Sequence, residues 1–114
     1  MVVVTETSGT QQFRVAVRGM FEGLTAPQRQ ALLRDVDAHD VVLVGRFSEE
    51  GTLTYAKDLV FFTFGFDVTA SGPDAQTDAA AEAEIRALER LGQGGWGYRH
   101  LRATASVVPP VKRR

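Results

Sequence analysis

From residue 59 to residue 69 the chain alternates without interruption. Val60, Phe62, Phe64, Phe66 and Val68 occupy one parity, and Leu59, Phe61, Thr63, Gly65 and Asp67 the other. A helix would spread such a period-2 pattern round its circumference, whereas a strand sends each parity to one side of a sheet. The three phenylalanines between the two valines therefore predict a strand with one face in the core. The run FRVAVRG, from residue 13, repeats the signal, with Phe13, Val15 and Val17 set against Arg14, Ala16 and Arg18. Near the C-terminus Leu101, Ala103, Ala105 and Val107 alternate with His100, Arg102, Thr104 and Ser106, which predicts a last strand ended by Pro109-Pro110.

Two helices are expected between these strands. Thr25 followed three residues later by Gln28 forms a capping box, and Pro27 suits a first turn. A first helix should start there, carry Leu32, Leu33 and Val36, and end near His39 or Asp40. A second is predicted after the Ser71-Gly72-Pro73-Asp74 break, with Ala81, Ile85, Leu88 and Leu91 as its apolar positions and Gly92 as its C-cap. Residues 41–47, rich in β-branched side chains, predict a strand that turns at Ser48-Glu49-Glu50-Gly51 into Thr52-Leu53-Thr54-Tyr55. The last four residues fit either a bulged extension of the next strand or a short strand of their own.

At 114 residues the chain is long enough for one core and too short for two ordinary domains. Formal net charge is -1, which supplies no general pull toward nucleic acid or an anionic membrane. The absence of cysteine excludes disulfides, thiolate metal sites and cysteine nucleophiles. No apolar run approaches the roughly 20 residues that span a bilayer, and Val2-Val3-Val4 is too short for a signal-peptide core, so a cytoplasmic location is expected.

Three motifs reduce to structure. Asp35, Asp37, His39 and Asp40 carry metal-ligand chemistry, yet they read as a solvated helix end with His39 at the negative pole of the dipole. In the expected topology His39 lies at the bottom of the sheet and His100 at the top, so no metal site is assigned. Phe64-Gly65-Phe66 has the composition of an RNA-binding strand, but its parity points both rings inward rather than toward bases. The glycines fit neither a dinucleotide fingerprint nor a phosphate loop. Their distribution is more informative: Gly19, Gly23, Gly51, Gly92, Gly94, Gly95 and Gly97 fall in the connections gathered at the top end, beside Tyr55, Trp96 and Tyr98, with Arg18 and His100 at adjoining strand ends.

The run FRVAVRGMFEGLT, the His39-Asp40 pair and GTLTYAKDLVFFTF together resemble an uncharacterised family of small bacterial proteins with a domain of unknown function, over most of residues 12–107. The resemblance carries no functional residue with it. The topology is also similar to that of dimeric α+β-barrel proteins, among them small monooxygenases and cyclases, a likeness of fold only.

The expected architecture is an α+β, ferredoxin-like β-α-β-β-α-β domain over residues 12–108, between tails at 1–11 and 109–114. Its antiparallel sheet has four strands, or five if residues 52–55 stand alone, and both helices cover one face. The open face should show Arg14, Ala16, Arg18, Leu59, Phe61, Thr63, Asp67, His100, Arg102 and Thr104, too apolar and basic a mixture to stay bare. The expected function is a homodimer through that face, binding a small organic, anionic ligand without a cofactor. In its catalytic version this is a cyclase, isomerase or monooxygenase of secondary metabolism, with His100 as acid/base, Arg18 as anchor, and Tyr55, Trp96 and Tyr98 as walls. The alternative is a non-catalytic ligand-binding or protein-interaction module. Neither nucleic acid nor membrane is an expected partner.

Overall fold

The computed structural model describes residues 10–39 and 47–108. The elements are β1 (Thr10–Phe21), α1 (Ala26–Arg34), a 3-10 turn (Val36–His39), β2 (Thr52–Tyr55), β3 (Phe61–Ser71), α2 (Ala75–Gly94) and β4 (Tyr98–Val107). The chain is an α+β protein with one open four-stranded sheet in the order β2-β3-β1-β4, and every pairing between these strands is antiparallel. The strand expected at residues 41–47 lies, but for Phe47, outside the described residues.

Both central strands obey their alternation. Phe13, Val15, Val17, Phe62, Phe64, Phe66 and Val68 are buried, and the in-register pairing of Val15 with Phe66 and Val17 with Phe64 puts the two apolar sets on one face. Residues 52–55 form a separate edge strand, with Leu53 opposite Phe64 and Tyr55 opposite Phe62.

α2 covers this face with a different stripe from the one its large residues suggest. Ala75, Ala79, Ala83, Ala87 and Leu91 are buried, while Ile85 and Leu88 are exposed and so is Ala81. The strands already fill the interior with phenylalanine rings, so the helix approaches along its small residues. It also runs past Gly92. The left-handed residue is Gly95, at φ 70°, whose N–H donates to Gly92 O while that of Trp96 donates to Leu91 O, both at 3.2 Å. That is a Schellman cap set three residues later than expected, and it holds Trp96 edge-on to Phe21 at 6.1 Å.

α1 begins as its capping box predicts: Gln28 N–H donates to Thr25 Oγ1 at 3.2 Å, and Thr25 N–H to Gln28 Oε1 at 2.9 Å. Gln28 Nε2 also donates to Gly95 O at 2.9 Å, which ties the start of α1 to the end of α2. Leu32 is buried, whereas Leu33 is exposed.

Two further placements differ from expectation. Leu59, expected on the open face, is buried. It has φ 56° in the β2–β3 turn, where its N–H donates to Ala56 O, and this left-handed step reverses its direction before β3 begins. Gly51, expected at the top rim, lies instead where the chain enters β2 beside the middle of β3, because the connection between β2 and β3 is residues 56–60 rather than Ser48–Gly51.

Candidate functional site

Cross-strand partners share a face, so the register lays out the open side of the sheet in transverse rows. One row runs Thr54, Thr63, Arg18, Arg102 from edge to edge, and the next Thr52, Gly65, Ala16, Thr104. Below them Asp67, Arg14 and Ser106 stand in line. Arg14, Ala16, Arg18, Phe61, Thr63, Asp67, Arg102 and Thr104 thus occupy the face their alternation predicts.

Like charges directly opposite one another destabilise a sheet, yet Arg18 faces Arg102. Among the described residues the ion pairs within 4 Å are Arg34–Asp35 and Arg86–Glu82, neither of which involves these two guanidiniums. Arg18 is held by an aromatic instead: its guanidinium carbon lies 4.3 Å from the centre of the Phe61 ring. A guanidinium that rests on a ring by its flat face keeps its N–H edge free for a carboxylate, which arginine binds in bidentate fashion.

The stacked pair divides two depressions and lines both. One, of about 710 Å³, is bordered by Thr54, Tyr55, Lys57, Asp58, Asp37 and Thr63. The other, of about 530 Å³, is lined by Ala16, Gly19, Met20, His100, Arg102 and Thr104 besides the pair itself. Among the described residues its ionisable groups are two arginines and a histidine, with no carboxylate.

His100 has φ 58°, a backbone that a β-carbon makes unfavourable. The cause lies in the pairing: between Arg18↔Arg102 and Met20↔Arg99 the register slips by one residue, so β4 carries a bulge at His100. The slip inverts every face assignment N-terminal to it. Tyr98 falls opposite Phe21, on the helix side, and Arg99 falls opposite Met20, on the open side.

The residues expected at a common mouth are thereby sorted into two groups. Arg18 and His100 meet in the second depression. Trp96 is half-buried against the core, and neither it nor Tyr98 lines either depression. Tyr55 borders the first depression, but its side chain belongs to the interior, where the hydroxyl donates to Leu32 O at 2.7 Å. Burial, reinforced by the charge of Asp35, pushes its pKa from 10.0 up to about 12. Arg99 and Met20 were not legible beside Arg18, because the slip that brings Arg99 opposite Met20 exists only in the pairing of β4 with β1.

His39 stacks on Tyr55 at 5.1 Å, with Nδ1 3.0 Å from Leu53 O. Tyr55 pairs with Phe62, which pairs with Gly19, so His39 stands level with His100 and not at the other end of the sheet. The width of the sheet and its two faces separate them. Among the described residues no three His, Asp or Glu side chains gather as metal ligands, and no helix is long and apolar enough to cross a membrane.

Fold and face together define an α+β protein whose described helices lie on one side of the sheet and whose other side bears arginines, the guanidinium carbon of Arg14 lying 5.6 Å from the centre of the Phe47 ring. The chain belongs to DUF6204, a family of unknown function, which it matches over residues 7–114. No curated protein and no solved structure matches it.

Proposed function

We propose that this is a ferredoxin-like, homodimeric protein that binds a small organic anion on the open face of its sheet. The observation that carries the reading is the pair Arg18 and Arg102, opposite each other in a depression to which the described residues contribute no carboxylate. Two guanidiniums so placed gain from an anion between them, and the exposed ring of Phe61 suits the organic part of the ligand. The β2-β3-β1-β4 order with wholly antiparallel pairing supports the ferredoxin-like assignment. Titration calorimetry with benzoate tests the binding: Arg18→Gln or Arg102→Gln should weaken it about tenfold, the loss of a charge-assisted hydrogen bond. Equal affinity in wild type and both variants would remove the site.

A second copy of the chain is the proposed cover for the rest of the face. Phe61 is 44% exposed, and apolar area left in water costs about 25 cal/mol per Å²; twofold pairing is the commonest way to bury it. Light scattering across a dilution series should show a dimer that Phe61→Glu dissociates. A wild-type chain that stays monomeric at tens of micromolar contradicts this part.

One observation favours catalysis over passive binding. Strained backbone persists where surrounding structure over-determines it, often at functional sites, and His100 is such a residue beside the two arginines. As acid/base it would exchange protons with a ligand held by Arg18. A turnover screen on aromatic hydroxy acids separates the readings: His100→Ala abolishes turnover in an enzyme and changes only affinity in a binding module.

A further inference from the structure

We infer that the open face is built for a dianionic group, which a third arginine, Arg99, helps to hold by virtue of the His100 bulge. The inference rests on the anion-binding reading above and narrows the class of ligand.

Strict alternation counted back from Arg102 would put His100 on the open face, Arg99 toward the helices and Tyr98 outward. One extra residue against Gly19 reverses the last two. Tyr98 gains a place opposite Phe21, and Arg99 is delivered, exposed, to the face that already carries Arg18 and Arg102. The bulge is kept although His100 must take a left-handed backbone, a conformation that glycine or asparagine would adopt at lower cost. Its effect is to add a third arginine, beside the lining of the second depression, to the sheet face that carries Arg18 and Arg102, with no ion pair to any of them among the described residues.

Three cations on one sheet face exceed what one carboxylate neutralises. A monoanion between Arg18 and Arg102 leaves a net positive field at Arg99, whereas a phosphoryl group, or two carboxylates on one small skeleton, balances more of it. The apolar surroundings, Met20, Ala16 and Phe61, favour a compact organic carrier over a bare inorganic ion. Both sources share one chemistry, two negative charges a few ångströms apart on an apolar scaffold.

The test is titration calorimetry at pH 7.5 with benzoate, phthalate and phenyl phosphate, on wild type, Arg99→Gln and the exposed control Arg34→Gln, which alters net charge equally at a distance. Wild type should bind one of the dianions about tenfold more tightly than benzoate. Preference for phenyl phosphate assigns a phosphoryl ligand, and preference for phthalate a dicarboxylate. Arg99→Gln should erase the preference by weakening the dianion about tenfold and benzoate by a smaller factor, and Arg34→Gln should leave all three titrations as in wild type. Circular dichroism of each variant checks that the fold is kept. Equal affinity of wild type for all three probes, or a preference that survives Arg99→Gln, overturns the dianion inference and leaves anion binding intact. Failure of all three to bind wild type overturns both.

Discussion

Arg18 lies with its guanidinium over the ring of Phe61, 4.3 Å from carbon to ring centre, and the two side chains form the wall between the depressions on the open face. The contact orients a long side chain that would otherwise sample many rotamers. Phe61→Leu keeps the site apolar but removes the quadrupole that holds Arg18. Benzoate affinity should fall severalfold while stability changes by less than about 1 kcal/mol, as befits an exposed cation–π pair. Matched titrations and melting curves check both halves.

Gly51 and Gly23 both have positive φ, 95° and 65°, but only one is crowded. A β-carbon at Gly51 would lie 2.7 Å from Cζ of Phe66, while one at Gly23 would meet nothing within 4 Å. Gly51→Ala therefore adds overpacking to the left-handed penalty and should cost about 2–4 kcal/mol, against about 1 kcal/mol for Gly23→Ala. Urea denaturation of the two variants measures the difference.

Tyr55 couples stability to alkaline pH. Its phenol ionises near 10.0 when unfolded and only at about 12 in the folded chain, so the folded state holds its proton more tightly. The resulting stabilisation is complete below pH 10 and is lost as pH rises from 10 toward 12. Tyr55→Phe should flatten the loss of melting temperature over that window. At neutral pH it should cost about 1 kcal/mol, because Leu32 O loses its hydroxyl donor.

The stripe by which α2 meets the sheet can be tested with two substitutions on opposite sides of one turn. Ala83 is fully buried and Ile85 is 58% exposed. Ala83→Leu should destabilise by about 1–3 kcal/mol through overpacking, and Ile85→Ala by no more than about 0.5 kcal/mol. The reverse order would mean that the helix docks on its large residues after all.

Much of this fold was legible because its strongest signals are local. Alternation assigns Phe62, Phe64 and Phe66 to one face whatever they pack against, since the period of a strand is a property of its backbone. The capping box at Thr25 likewise needs only residues three apart. From such signals the chain by itself determined the α+β class, its one-sided sheet, both helices, and the placing of Arg18 and His100 on the open side.

What tertiary structure alone decided depends on partners distant in sequence. Alanines displaced Ile85 and Leu88 as the buried stripe of α2 because phenylalanines from β1 and β3 had already taken the volume. The left-handed turn at Leu59 and the late cap at Gly95 are set by what each neighbouring segment can bury. The bulge at His100 exists only in the pairing of β4 with β1. One residue of slip there moved Tyr98 off the open face and Arg99 onto it, and alternation within a single strand holds no record of where its neighbour's register breaks.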